Sequence, residues 1–179
     1  MAWRIERDAL FAGHPQSPVP EDLRPGFPGM RFFPYDPTWR LAATLEPAPR
    51  QGMGAPTTAQ GASTVVSSPD GVFRVIGVLV AVRGDQEIRL PLLQLDAYGG
   101  GLFLPFRDST NGDETYGGGR YLIDQAKGAD LGSDADGALI LDFNFAYHPS
   151  CAHDPRWTCP LAPADSVVSI PVRAGELAP

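Results

Sequence analysis

The sequence lacks an apolar run long enough to cross a lipid bilayer. Its longest uninterrupted run, residues 75–82, is far short of the ~20 residues that a transmembrane helix needs. The first eleven residues mix acidic with basic side chains and have no apolar centre of the kind that a signal peptide requires. These absences argue against a membrane partner and predict a cytoplasmic protein.

The chain also lacks an excess of positive charge. Lysine and arginine together number 14 against 21 acidic residues, which gives a net charge of -7 and a pI near 4.8. An acidic protein repels polyanions, and no basic stripe interleaved with aromatic residues is present. We therefore expect no nucleic-acid partner.

There is little room for long helices, because 20 glycines and 19 prolines interrupt the 179 residues. An average protein contains only ~7% glycine and ~5% proline. The length suits one domain with a substantial core. We therefore expect residues 1–179 to form a single domain of mainly short elements.

The N-terminal part, residues 1–37, predicts a helix followed by an extended strap. Within residues 2–11, Ala2, Ile5 and Ala9 recur at helical spacing, which predicts a short amphipathic helix with these residues on its apolar face. Residues 13–37 contain seven prolines and three glycines, so this strap must run extended or in turns over the rest of the protein. Its expected anchors are aromatic: Phe27, Phe32, Phe33 and Tyr35.

Residues 38–179 are expected to form a β core. Residues 47–61 are rich in proline, glycine, glutamine and alanine and predict a mobile loop. The strand after Pro37 has one apolar face: Trp39, Leu41, Ala43 and Leu45. Further strands are predicted at residues 63–67, 72–83, 87–98, 102–107, 120–125, 138–147 and 167–173. Short strands separated by turn signals predict an all-β fold, an antiparallel barrel-like or sandwich sheet, with residues 72–82 as a central strand covered on both faces.

The strand predicted at residues 138–147 alternates strictly in polarity. Its core face is a run of apolar and aromatic residues: Leu139, Leu141, Phe143, Phe145 and Tyr147. Asp142 and Asn144 share the opposite face. These two side chains point either to water or into a polar cavity, and the pattern leaves both interpretations open.

Residues 106–122 are the densest run of hydrogen-bonding side chains. Arg107 and Arg120 are planar donors suited to a carboxylate or phosphate, and Asp108 and Glu114 are placed to orient them. Hydroxyl groups come from three more residues: Thr110, Thr115 and Tyr116. No helix follows the glycines at 117–119, so neither a dinucleotide fingerprint nor a P-loop is indicated and no cofactor is predicted. The run is either a ligand-binding loop on a rigid sheet or a connection whose charges pair with one another.

The segment 148–160 holds both cysteines and two of the three histidines. Zinc prefers such ligands, but His148, Cys151, His153 and Cys159 lie too close together for a site that normally draws two pairs from separated elements. No metal site is therefore predicted. A disulfide, a reactive Cys151 beside a cation, and two buried inert thiols remain as interpretations, of which the last is favoured.

Several motifs together resemble a known family. In order, F-R-D-x-T-x-G-x-E-T-Y-x-x-G-R-Y-L, L-D-F-N-x-A-Y, P-x-C-A, C-P-L and R-A-G-E occur between residues 106 and 176, preceded by H-P-Q-S-P and F-F-P-Y-D-P. The chain thus resembles the bacterial and archaeal family called domain of unknown function 1684, which implies one domain without an assigned substrate. The matching polar residues are Arg107, Asp108, Thr110, Glu114, Thr115, Tyr116, Arg120, Tyr121, Asp142, Asn144, Tyr147, Cys151, Cys159, Arg173 and Glu176.

The chain also departs from the family pattern. His148 stands where the pattern has asparagine, and His153 stands where it has tyrosine. A metal site common to the family therefore cannot depend on either histidine. Ser166 likewise replaces an asparagine after the C-P-L segment, which puts any role of that asparagine in doubt here.

We expect the matching residues to line a polar pocket for a small anionic metabolite, because Arg107, Arg120 and Arg173 supply donors in an otherwise acidic protein. One alternative is a hydrolase or thiol-dependent enzyme that uses Cys151 or Asp142 as nucleophile or base. The other is a structural network, in which arginines and acids pair inside the fold and leave no pocket.

Overall fold

The computed structural model describes residues 2–47, 65–68, 71–95, 101–124 and 129–179. Helix α1 spans Ala2–Gly13. The strands are β1 Arg40–Pro47, β2 Val65–Ser68, β3 Gly71–Arg83, β4 Gln86–Leu95, β5 Leu102–Phe106, β6 Arg120–Asp124 and β7 Leu139–Asp142. The predicted mobile loop, beyond Pro47, lies outside the described residues. No described helix combines the length and apolar composition that a bilayer crossing requires.

The strands form one curled antiparallel sheet. Its order is β6-β5-β4-β3-β1-β7, and β2 pairs with the beginning of β3. The two edges of the sheet approach each other, since Tyr121 of β6 and Tyr147 beyond β7 exchange two backbone hydrogen bonds with N···O distances of 2.8 and 3.0 Å. The predicted all-β, barrel-like antiparallel sheet with a short N-terminal helix is thus confirmed, in the form of a half-barrel.

Strand β3 is central and carries a bulge at Ile76, where its register against β4 shifts by one residue. A one-residue insertion inverts the alternation of side chains between the two faces. Phe73, before the bulge, therefore packs in a cluster on the outer face, whereas Leu79 packs in the inner core. Arg74 before the bulge and Val82 beyond it are exposed, so the expectation that both faces are covered does not hold along the whole strand.

The inner core fills the concave side of the sheet. It includes Trp39, Leu41 and Ala43 of the predicted apolar face, but Leu45 at the end of that face is exposed. The outer cluster, which contains Phe73, Leu93, Phe103, Tyr121, Ala129 and Tyr147, packs against Trp3 of α1. Trp3 meets this cluster at Phe145 and Tyr147, with ring centroids 5.2 and 6.4 Å apart.

Helix α1 forms as predicted, but its buried face was predicted wrongly. Ala2, Ile5 and Ala9 are exposed, and the helix instead buries Arg7 and Phe11. The Arg7 guanidinium lies 4.7 Å from the ring centroid of Phe11 and forms an ion pair with a buried glutamate described below. A paired arginine is tolerated in an interior where an unpaired one is not.

The strap reaches the C-terminal segment in an extended form. The backbone N–H of Phe33 donates to the carbonyl of Gly175 at 2.9 Å, and the N–H of Leu177 donates to Arg31 at 2.9 Å. Phe33 is buried, and Phe27 stacks on Phe11. Tyr35, by contrast, is exposed and is not an apolar anchor.

One predicted strand is shorter than expected, and another does not form. Strand β7 ends at Asp142 and is followed by a 3-10 turn, Phe143–Phe145, because the Asp142 side chain accepts the backbone N–H of Asn144 and caps that turn. The segment 167–173 forms no strand, and among the described residues it joins the sheet by a single bridge between Val167 and Arg107. The carbonyl of Val172 accepts a hydrogen bond from a buried arginine instead of a neighbouring strand.

Candidate functional site

Arg120 and Asp108 form a buried ion pair at the end of the polar run 106–122. Arg120 Nη2 lies 2.8 Å from Asp108 Oδ2, and neither side chain is exposed to solvent. Arg120 also donates to the carbonyls of Val172 and Ala174. Burial lowers the pKa of Arg120, against the opposing effect of Asp108. Both residues are thus committed to protein partners.

The loop after β5 is held together by its own side chains. Asp108 Oδ1 accepts the backbone N–H of Thr110 at 2.8 Å. The hydroxyls of Thr110 and Thr115 lie 2.8 Å apart, and Asn111 Nδ2 donates to the Thr115 hydroxyl at the same distance. The two threonines are therefore structural. Asn111, which the sequence interpretation did not single out, completes the network.

Glu176 lies at the centre of a second buried network, which joins both ends of the chain. Its carboxylate pairs with Arg7 of α1 through Nε and, at 3.2 Å, through Nη2. The backbone N–H of His148 donates to Glu176 Oε2 at 2.7 Å. Arg7 was not predicted to take part, because an arginine in an exposed-looking helix carries no sequence signal of its burial.

His148 is a buried neutral imidazole. Its Nε2 accepts the backbone N–H of Tyr116 at 3.3 Å, so the ring proton is on Nδ1. Nδ1 lies 3.6 Å from Glu176 Oε2, which is within range of an ion pair but too long for a hydrogen bond. Burial, together with Arg120, lowers the pKa of His148 to about 2. We therefore treat the contact with Glu176 as one between a neutral ring and a carboxylate.

Asp142 and Asn144 are both buried, so they face neither water nor an open cavity. Asn144 binds the strap, since its Nδ2 donates to the carbonyl of Asp36 at 2.8 Å and its Oδ1 accepts the N–H of Asp36 at 2.9 Å. Asp142 accepts hydrogen bonds from Arg40 at 3.2 Å and from the Tyr35 hydroxyl at 3.3 Å. The two residues therefore fasten the strap to the end of β7.

Four more predicted residues have clear structural positions. Glu114 and Arg173 form an exposed ion pair with distances of 2.9 and 3.0 Å. Tyr121 and Tyr147 carry the backbone bridge between the sheet edges, and the Tyr121 hydroxyl donates to the carbonyl of Pro160. None of these contacts depends on a ligand.

The cysteine segment brings two thiols and a hydroxyl together. Cys151 and Cys159 are not joined by a disulfide, and both are partly exposed, whereas buried thiols were favoured from the sequence. The backbone N–H of Cys151 donates to Cys159 Sγ at 3.2 Å, and the Tyr116 hydroxyl lies 3.7 Å from Cys151 Sγ. This contact with the thiol raises the pKa of Tyr116. Among the described residues, no group of three or more His, Cys, Asp or Glu side chains is arranged to hold a metal ion.

Arg107 differs from the other two predicted arginines. Its side chain has no hydrogen bond or ion pair within the described part of the chain, and its Nε, like that of Arg120, is buried without a partner. Its backbone is fixed by hydrogen bonds with Ser166 and Val168 at 2.9 and 2.8 Å. The structure thus presents a half-buried guanidinium on a rigid backbone.

A shallow depression of about 620 Å³ lies elsewhere, on the outer face of β1 and β3. Its lining includes Arg40, Thr44 and Glu46. Neither Arg107 nor the cysteine segment contributes to it. The predicted site residues are thus distributed over separate groups, and the depression is not formed by them.

Comparison with known proteins agrees with the motifs. The model of a family described as "Protein of unknown function (DUF1684)" matches residues 25–177. The solution NMR structure of an uncharacterized protein of Haloarcula marismortui is similar at 31% identity and a TM-score of 0.65, over 98% of this chain and 90% of that chain. No curated protein matches. The chain belongs to the family of proteins of unknown function DUF1684.

Proposed function

We propose that the protein binds a small anionic metabolite through the guanidinium of Arg107. The observation that carries the proposal is the contrast among the predicted arginines. Arg120 and Arg173 are each paired with a carboxylate, whereas Arg107 has no side-chain partner among the described residues. An acidic protein that pairs its other predicted arginines leaves this cation for an external anion.

The surroundings of Arg107 suit such a ligand. A buried Nε without an acceptor is costly, and a carboxylate or phosphate would satisfy it together with a terminal nitrogen in the two-bond geometry that arginine favours. Gly119 lies beside the arginine stem, where a Cβ would be 3.0 Å from Arg107 Cγ and 2.6 Å from the carbonyl of Phe106. The glycine turn therefore leaves room for the side chain along the end of β5.

The proposal does not extend to catalysis by Asp142. Its side chain is only 1% exposed, and both of its oxygens accept hydrogen bonds from the protein. A nucleophile or base must reach its substrate directly or through one water. For Arg120 and Asp108, the alternative of a structural ion-pair network is the better interpretation, since both are fully buried.

The test compares Arg107→Gln with Arg173→Gln, which removes an arginine of the same polar region from an exposed pair with Glu114. Isothermal titration calorimetry with inorganic phosphate, citrate and acetate measures binding to each variant. We expect the wild type and R173Q to bind the same anion, and R107Q to bind it at least about tenfold more weakly, because a charge-assisted hydrogen bond contributes about 1.5–3 kcal/mol. Equal affinities of R107Q and R173Q, or no binding by the wild type, would reject the proposal.

A further inference from the structure

We infer that Cys151 and Cys159 are a modification site, a thiol pair that a small-molecule disulfide converts reversibly into an intramolecular disulfide. The inference rests on the cysteine segment and does not depend on anion binding at Arg107. Two thiols are held next to each other, both are partly exposed, and a backbone donor is directed at one of them.

The backbone of Cys151 lies beside the sulfur of Cys159. Cys151 N lies 3.2 Å from Cys159 Sγ. Bond lengths place the nitrogen and sulfur of one cysteine roughly 3 to 4 Å apart, so the two sulfurs are at most about 7 Å apart. Rotation about the Cα–Cβ bonds, with a small shift of the exposed residues 155–158, is the movement that a disulfide requires.

The contacts assign different roles to the two thiols. Cys159 Sγ accepts the backbone N–H of Cys151, and a donor of this kind stabilises a thiolate, which is the attacking species. Cys151 Sγ accepts a longer contact, from the Tyr116 hydroxyl at 3.7 Å, which stabilises a thiolate less. We therefore assign the first attack to Cys159 and the resolving step to Cys151.

The chemistry is two consecutive thiol–disulfide exchanges. The Cys159 thiolate attacks one sulfur of a small disulfide, its S–S bond breaks, and one thiolate leaves and takes up the proton that Cys159 released. The Cys151 thiolate then attacks Cys159 Sγ in the mixed disulfide, and the second small thiol leaves and is protonated. Two protein thiols are oxidised to one disulfide, and one small disulfide is reduced to two thiols.

The partial exposure of Cys151 and Cys159 argues against a role in packing alone. Thiols that only fill a core are inert because no reagent reaches them. Both sulfur-bearing residues here are accessible in part, and the neighbouring Pro155, Arg156 and Trp157 are exposed. The structure thus offers an approach for a small reagent from the side of this loop.

The experiment uses the full chain, reduced and desalted, with glutathione disulfide as the probe. Intact mass spectrometry follows the reaction, and peptide mapping identifies the linked residues. The wild type is expected to lose two hydrogens without retaining glutathione, to show a 151–159 crosslink within one chain, and to recover both thiols with dithiothreitol.

Two single variants test the assigned order. Cys151→Ser is expected to accumulate glutathione on Cys159, whereas Cys159→Ser is expected to react at least about tenfold more slowly, because the stabilised thiolate is gone. Circular dichroism checks that each variant is folded. A wild type that keeps both thiols, or that carries glutathione on both cysteines without a crosslink, would overturn the inference, and equal rates in the two variants would overturn the roles.

Discussion

Arg120 and Asp108 pair where water does not reach them, with Nη2 and Oδ2 2.8 Å apart and both side chains fully buried. Asp108 Oδ1 also accepts the backbone N–H groups of Thr110 and Val172, at 2.8 and 3.2 Å. One carboxylate therefore joins the start of β6, the loop after β5 and the C-terminal segment. This charge pair of the predicted pocket thus holds three segments of the fold together.

Asp108→Ala is expected to lower the free energy of unfolding by about 3–5 kcal/mol, because it leaves a buried guanidinium without its carboxylate. Urea denaturation followed by circular dichroism measures the change. Arg173→Gln is the matched control, since it breaks the exposed pair with Glu114 and should cost less than about 1 kcal/mol. Similar decreases in the free energy of unfolding in the two variants would show that burial does not determine how much this pair stabilises the fold.

His148 predicts that stability falls as the solution becomes acidic. Its pKa is about 2 in the folded protein against 6.5 for an unperturbed histidine, so below pH 6.5 the unfolded chain binds a proton that the folded protein does not. The free energy of unfolding should therefore decrease as pH falls, by up to about 1.4 kcal/mol per pH unit. His153, whose pKa is lowered to about 4 by burial, adds a smaller effect of the same sign because it is partly exposed.

His148→Asn removes the imidazole that takes up the proton in the unfolded chain, and it introduces the residue expected from the family pattern. Urea midpoints between pH 7 and about 5, above the range where carboxylates titrate, isolate the histidine contribution. The variant is expected to lose less stability over this range than the wild type does. Parallel pH profiles of the two proteins would contradict a neutral, buried His148.

Asn144→Ala is expected to loosen the strap. The change removes both side-chain hydrogen bonds to the backbone of Asp36 and should cost about 1–3 kcal/mol. Hydrogen exchange of the Asp36 amide should become faster, because its acceptor is lost. Tyr35→Phe removes a more exposed contact to Asp142 and should change stability by less than about 0.5 kcal/mol. An unchanged exchange rate at Asp36 in N144A would rule out the fastening role.

Local periodicity and turn signals predicted the sheet well, because a half-buried strand has to alternate wherever one face meets the core. The inward residues Trp39, Leu41 and Ala43 follow that rule. The buried face of α1 did not follow from the pattern, because it depends on the pairing of Arg7 with Glu176, which is 169 residues away. No local pattern contains the position of so distant a carboxylate.

The surroundings of the predicted pocket residues did not follow from the pattern for a related reason. Polar residues grouped in a sequence motif serve either a ligand or the fold, and only the positions of their partners distinguish the two. Four of the predicted residues have protein partners that come from distant segments: Asp108, Arg120, Asp142 and Glu176. Cys151 and Cys159 differ from the prediction in the opposite direction. Burial of both was favoured from the sequence, but both residues are partly exposed.

Gly175 explains the glycine of the R-A-G-E motif and provides a further stability test. Its φ is +80°, and a Cβ would lie 2.5 Å from the carbonyl oxygen of Ala146 and 2.8 Å from that of Phe143. Both neighbours are backbone atoms, so Gly175→Ala must displace the segment that places Glu176 beside Arg7.

Gly137→Ala is the matched control, because Gly137 has a φ of +82° but open space around it. The control should lower the free energy of unfolding by about 1–2 kcal/mol, because alanine is disfavoured in the left-handed backbone conformation. In urea denaturation we expect G175A to lower the free energy of unfolding clearly more than G137A does, because steric displacement adds to the backbone cost. Equal decreases in the two variants would mean that the close approach of Ala146 is not essential.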